Sequence, residues 1–301
     1  MKIGFGVPVS GSWATPANML LIARRAEELG YDSLWTFQRL LYPVGHPMGP
    51  VYRSVQDPIV TLSFLAGVTS RIRLGLAVVN MPFFSPVLLA KQLATLQDVS
   101  GGRLDAGLGL GWLPEEFVAS GVPMEHRGRR AVEYLQVLRR LWSEEIISHK
   151  GEFYEIPPSH QDPKPRPAPP VLLGGTAEVA LRRAGQLADG WISSSRADLT
   201  SIRDQIYIVK DAARAAGRDP GTLRFIIRGV TRLREAGLPD RRPLTGSPEE
   251  IRSDIEVLAA AGATELFHDL NFDPEISSPD ADPAASLRRA EETLEAMAPQ
   301  R

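Results

Sequence analysis

Short apolar runs alternate along this chain with longer stretches in which apolar residues recur at helical spacing. The short runs predict strands covered on both faces, and the longer stretches predict amphipathic helices. Residues 3–9 form the first run. Thr15 and Pro16 then open a helix with Met19, Ile22, Ala26 and Leu29 on one face, and Gly30 closes it. Residues 32–36 predict a second strand, and the proline- and glycine-rich segment 37–56 predicts a long loop at its end. Residues 57–68 read as a helix.

The stretch 71–112 is the clearest part of the pattern. RIRLGLAVVNMP is a branched, apolar strand, and Ser85, Pro86 and Gly101 bracket a helix as N-cap, first-turn proline and stop. RLDAGLGLGW is a strand again. Strand, helix and strand with short joints make a βαβ unit, whose strands must be parallel.

An excursion follows. Residues 114–130 predict a loop, and 130–142 a helix with Val132, Leu135, Leu138 and Leu141 as its apolar stripe. GEFYEIPPSHQDPKPRPAPP breaks every period and predicts an extended, irregular lid or interface insertion. Alternation then resumes, with strands at 171–173, 190–193, 223–230 and 264–270 and helices between them. Ser247, Pro248 and Glu250 form a capping box for the helix that stops at Gly262. Residues 279–297 predict a last amphipathic helix.

Eight strands, each followed by a helix, fit a closed (β/α)8 TIM barrel, here one domain over residues 1–301 with an insertion at about 113–169 after strand four. An open doubly wound sheet meets the same alternation.

Composition narrows the function. The formal net charge of −2 gives no electrostatic reason to expect nucleic acid or an anionic membrane as partner. The absence of cysteine excludes disulfides, thiolate metal sites and a cysteine nucleophile. The N-terminus reads as a strand rather than a signal peptide, and no apolar run approaches the roughly 20 residues needed to cross a bilayer. The expectation is a soluble, cytoplasmic protein acting on a small molecule.

In a barrel of this kind the chemistry sits at the C-terminal ends of the strands. Those ends include Gln38 and Arg39, residues 78–81, 109–112 and 174–176, Ser194 and Arg196, and residues 228–231. Gly174, Gly175 and Thr176 precede a helix, so their N–H groups and hydroxyl suit a phosphate; an ordinary tight turn needs the same glycines. Gly109, Leu110 and Gly111 can bring a ring or phosphate close to the backbone, or form a plain turn. The residues that follow do not continue into a Rossmann fingerprint, which argues against nicotinamide binding by that fold. The histidines lack metal-ligand spacing, and no metal is expected. His46, in the long loop, can face a substrate or simply be exposed; His268, on the last strand, reads as a core residue.

Several ordered motifs carry a resemblance. RIRLGLAVVNMP, SPVLLAKQLATLQDVSGGRLDAGLGLGW, VLLGGT and LADGWIS resemble the luciferase-like monooxygenase superfamily, most closely its branch that uses the deazaflavin coenzyme F420. The similarity runs over nearly the whole chain and implies the same barrel. It implies a non-proline cis peptide at Ala77–Val78 forming a bulge against the cofactor ring, with Asn80 at the ring edge. It makes Leu110 and Gly111 cofactor contacts, and Gly174, Gly175 and Thr176 the cofactor-phosphate loop. Relatives commonly carry Asp-His after strand two for proton transfer, where this chain has Gln38-Arg39 as the corresponding catalytic positions. Arginine stays protonated and cannot act as a base near neutral pH, although it can stabilise an anion.

Trp112 stands where sugar-phosphate dehydrogenases of the family carry a catalytic glutamate, which argues against that activity. His46, Trp112, Ser194 and Arg196 are the expected substrate-side residues. Arg39, Arg127, Arg129 and Arg196 are candidates for binding the acidic tail that distinguishes F420 from FMN. The resemblance thus implies an F420-dependent oxidoreductase, with an FMN-dependent monooxygenase as the alternative. A non-catalytic ligand-binding barrel is the alternative of another class, motivated by the missing Asp-His. Relatives usually form homodimers, and Phe83, Phe84 and the long insertion offer apolar surface for pairing.

Overall fold

The computed structural model describes residues 1–300. Its strands are β1 (Lys2–Gly6), β2 (Ser33–Thr36), β3 (Arg73–Leu76), β4 (Val79–Asn80), β5 (Leu104–Gly109), β6 (Ile147–Lys150), β7 (Glu155–Ser159), β8 (Val171–Gly174), β9 (Gly190–Ile192), β10 (Arg224–Val230), β11 (Arg232–Leu233), β12 (Thr245–Gly246) and β13 (Glu265–Asp269). The main sheet runs β3-β2-β1-β13-β10-β9-β8-β5-β4, all parallel, and β3 also pairs with β5, which closes it. With β3 and β4 as one interrupted stave, this is the eight-stranded (β/α)8 barrel, and the open sheet is excluded.

The helices are α1 (Pro16–Leu29), α2 (Pro58–Ala66), α3 (Pro86–Val99), α4 (Pro114–Ala119), α5 (Arg127–Ser143), α6 (Glu178–Leu187), α7 (Ile202–Ala215), α8 (Pro248–Ala260), α9 (Pro274–Ser277) and α10 (Pro283–Ala296). Their ends follow local chemistry. Thr15, Ser85 and Ser247 each accept a backbone N–H at a helix start, and Ser247 and Glu250 complete the capping box. Gly30 ends α1 in the left-handed conformation, where an L side chain is disfavoured. No helix among the described residues is long and apolar enough to cross a membrane.

Inside the barrel, Trp35, Leu172, Ile192, Ile226 and Phe267 form one buried layer, with Trp35 and Phe267 stacked 5.2 Å apart. Below it, charge replaces apolar packing. The Asp105 carboxylate, fully buried, takes Arg73 and Arg224, and Arg224 reaches on to Glu265 at 2.9 Å. Ser33 and Trp35 donate to the same Glu265. Burial alone would raise Asp105, but the hydrogen bonds from Arg73 and Arg224 outweigh it and hold the carboxyl below the usual carboxylate range.

Two expectations about the excursion are corrected. The expected loop after Trp112 contains α4, started by Pro114 and the acidic pair Glu115 and Glu116 at its positive end, and α5 begins at Arg127 rather than Arg130. The proline-rich segment is not wholly irregular. β7 runs through Pro157 and Pro158 and pairs antiparallel with β6, a two-stranded edge where missing N–H donors are tolerated.

Candidate active site

The C-terminal ends of the staves open into a cleft of about 960 Å³. Its floor is the break between β3 and β4. From Gly75 to Val79 the chain spends four residues where β5 spends three from Asp105 to Leu108, so this stave carries one extra residue, a bulge. The Ala77–Val78 peptide within it is cis. The Ala77 carbonyl accepts a hydrogen bond from Arg228 Nη1 at 2.8 Å. Arg228 is itself fixed by Asp269, 2.6 Å from its Nε, and its guanidinium lies over the Phe37 and Phe272 rings. Asp269 Oδ1 accepts from Asn271, and Asn271 Oδ1 accepts the N–H groups of Val9 and Ser10, tying the ends of β1 and β13 together.

Val78 projects from the bulge onto two glycines. A Cβ on Gly109 would lie 2.5 Å from one Val78 methyl, and a Cβ on Gly174 would lie 3.1 Å from the other. These glycines seat the bulge before they serve any ligand. Gly111 has φ +71, and a Cβ there would meet the Phe117 ring at 3.0 Å, so it too answers a packing need.

Beside the bulge, Asn80 N–H donates to Gln38 Oε1 at 2.9 Å, and Asn80 Oδ1 accepts the Gly111 N–H at 3.0 Å. This arrangement leaves Gln38 Nε2 buried at the cleft wall with no partner. An amide donor in that position is costly to bury unless something outside the chain accepts from it.

Arg39 is buried against its own chain. Its guanidinium packs against the Trp112 and Tyr52 rings, at 4.7 and 5.2 Å, and Nη1 stands 2.9 Å from Glu116 Oε2. That contact is a charge pair out of line with the N–H bond, so Nη1 and Nε have no aligned acceptor. Glu116 Oε1 also accepts the Leu40 and Leu41 N–H groups, so one carboxylate of α4 holds the whole turn after β2. Arg39 therefore does not turn outward to solvent.

A second basic region lies across the cleft. Helix α6 begins after Gly174, Gly175 and Thr176 without a side-chain cap, and α5 begins without one beside it. Gly175 has φ +146, a conformation reserved for glycine. Arg127 and Arg183 line the cleft here and have no carboxylate partner among the described residues. Arg183 Nη2 reaches over Gly128, and burial pulls its guanidinium below the ordinary arginine value.

Every site residue expected from the sequence lines this cleft except one. His46 does not, because a turn closed by its N–H on the Pro43 carbonyl sets its ring against Trp112, 6.4 Å between centroids. Of the expected tail arginines, Arg129 pairs at the surface with Glu152, whereas Arg127 and Arg196 line the cleft. Glu116, Asp269 and Arg183 were not anticipated as site residues, and Arg228 was placed only within the strand-end segment 228–231, with no role. A charged residue inside the apolar run RFIIRGV was a further signal for Arg228. His268 is a core residue: Nδ1 meets Thr231 Oγ1 at 2.9 Å, and burial pulls the imidazole down to about 3, so it stays neutral. No group of histidines and acids among the described residues could hold a metal ion.

The model of the luciferase-like monooxygenase family matches residues 3–236. The chain belongs to that family. An uncharacterised protein from Mycobacterium tuberculosis is 34% identical over 86% of this chain and 98% of its own. The F420-dependent glucose-6-phosphate dehydrogenase of Amycolatopsis mediterranei is 28% identical over 72% of this chain and 64% of its own. The FMNH2-dependent dimethylsulfone monooxygenase of Pseudomonas putida is 31% identical over 68% of this chain and 56% of its own. Among solved structures, a monooxygenase from Streptomyces bottropensis superposes with a TM-score of 0.79, covering 99% of this chain and 98% of that one at 24% identity, which supports the barrel fold.

Proposed function

We propose that this family member is a coenzyme F420-dependent oxidoreductase that moves a hydride between the reduced deazaflavin and a small organic substrate. The observation that carries this is the pair Arg127 and Arg183, unpaired in the cleft beside the uncapped starts of α5 and α6. Helix starts and free guanidinium groups favour dense negative charge. FMN ends in one phosphate, whereas the deazaflavin continues into a lactyl-oligoglutamate tail, so two extra cations beyond the phosphate loop suit the longer anion. The Amycolatopsis relative, by its name, uses the same coenzyme.

When bound, the coenzyme supplies the two-electron chemistry. Gly174, Gly175 and Thr176 would take its phosphate, and Leu110, Gly111, Ala77 and Val78 would border the ring. Gln38 Nε2 is the free donor beside that space, and Asn80 positions it through the bond to Gln38 Oε1. Arg228 holds the bulge from behind through the Ala77 carbonyl. Arg39 presents fixed positive charge to a substrate, while Trp112, Ser194 and Arg196 wall the other side and limit water.

The competing reading is an FMN-dependent monooxygenase, favoured by the 31% identity to the dimethylsulfone enzyme. The absorbance spectrum of the purified protein and a fluorescence-quench titration with F420 separate the two. Quenching in the micromolar range supports our proposal; yellow FMN copurifying, with no F420 binding, defeats it. A barrel with no turnover on any activated enone, nitro compound or alcohol would leave only the binding-protein alternative.

We further propose one cytoplasmic catalytic domain, with residues 113–169 as its insertion, acting as a homodimer. Phe83 and Phe84 are not the exposed surface for pairing: both are half-buried, Phe83 edge-on to Phe117 and Phe84 against the core. The free apolar side chains nearby are Val60 and Phe64 on α2 and Val87 and Leu88 on α3. Light scattering that gives a monomer at working concentration would refute pairing.

A further inference from the structure

A second cavity, of about 520 Å³, abuts the main cleft, and Tyr52, Arg196, Arg228 and Phe272 line both. Its outer wall comes from the segment between β10 and α8. Arg232 and Thr245 are partners in the β11–β12 ladder, and Arg242 sits just before it. Helix α8 anchors this segment from outside: Asp254 takes Arg241 at 2.5 and 2.8 Å and the Leu244 N–H at 2.7 Å. With Arg241 engaged there, Arg242 is left to line the cavity.

The charges in this cavity do not balance. Arg196, Arg228, Arg232 and Arg242 line it, and among the described residues the only lining acid is Asp198, which is occupied in capping Thr200. Arg228 is matched by Asp269. Arg196 and Arg242 have no carboxylate partner among the described residues. Arg232 comes only within 3.9 Å of Asp273, whose other oxygen holds Arg234 at 3.0 Å, and its Nε is buried without an acceptor. Arg39 and Arg228 each meet a carboxylate of the chain within 2.9 Å, whereas Arg196, Arg232 and Arg242 have none that close among the described residues.

We propose that this cavity binds the anionic end of the substrate, a phosphate or a carboxylate, while the reacting carbon lies in the main cleft; this rests on our reading of that cleft as a redox site. Planar guanidinium forks bind oxyanions in pairs of hydrogen bonds, and the Thr245 hydroxyl adds a neutral donor. The site thereby selects substrates that carry a negative group at one end and a reducible or oxidisable carbon at the other.

The test compares wild type with Arg232→Gln/Arg242→Gln and with the single Arg242→Glu, a reversal at an exposed position that leaves the ladder's backbone bonds in place. Inorganic phosphate and glutarate are each titrated calorimetrically into the full-length protein, and F420 affinity is followed by quenching. The expected result is a binding step for one of the two anions that weakens about tenfold or more in both variants, the scale for losing charge-assisted bonds, with F420 affinity unchanged. Whichever anion shows the step identifies the group as phosphate or carboxylate. Titrations identical in all three proteins overturn the proposal. F420 affinity falling in step with the anion also overturns it, because the cavity would then hold the coenzyme tail. An anion step in a protein that never binds F420 upholds the cavity and removes the redox reading alone.

Discussion

Arg39 is held on several sides by its own chain, between Tyr52, Trp112 and Glu116. That confinement makes it a preorganised charge rather than a mobile one. Arg39→Ala should cost roughly 2–4 kcal/mol in kcat/KM, the scale for one preorganised donor. Arg39→Lys should recover only part, since a point charge cannot fill the planar slot between two rings. Arg39→His should introduce no pH-dependent step near neutrality. Wild-type kinetics in all three would remove Arg39 from the site. Its partner is a sharper case: Glu116→Ala strands a buried guanidinium and frees two backbone donors, and should cost about 3–5 kcal/mol in denaturant unfolding. The place of Arg39 at a strand end was legible in the sequence. Its carboxylate was not, because Glu116 belongs to a helix far along the chain, and ion pairs between distant segments leave no periodic trace.

At the scale of elements, strands and helices followed from apolar runs, caps and stops because those signals are local. Ser85, Pro86 and Ser247 act as expected. The bulge between β3 and β4 was available only through resemblance, since AVVN is an unremarkable apolar run until its register with β5 is known. The pair β6 and β7 escaped for the opposite reason: its prolines argue against a strand unless the strand is an edge. Glycines on the staves are spacing devices. A Cβ at Gly75 would stand 2.2 Å from the Trp35 ring, the largest side chain in the barrel's inner layer. Gly75→Ala should therefore overpack that layer and cost about 1–3 kcal/mol by urea unfolding. Unchanged stability would mean that Trp35 has room to move.

Over the whole molecule the two ends of the barrel differ: ion pairs join the staves at the N-terminal end, and arginines without a carboxylate partner among the described residues line the cleft at the other. Asp105 lies below the usual carboxylate range in the fold, so the unfolded chain binds more protons. Its contribution is present at neutral pH and is lost as pH falls below about 4 and through the folded value. Asp105→Asn should lower stability at neutral pH and flatten that acid loss, without changing F420 affinity; an unaltered acid profile would contradict it. The central claim is that the cleft is built for a long anionic deazaflavin. It is tested most directly by quench titrations of F420, with FMN as competitor, on wild type and Arg127→Gln/Arg183→Gln. Micromolar F420 affinity, preference over FMN, and a loss of about tenfold in the double variant are expected from removing two partly exposed charge contacts. FMN displacing F420 with ease, and equal F420 affinity in both proteins, would contradict the account.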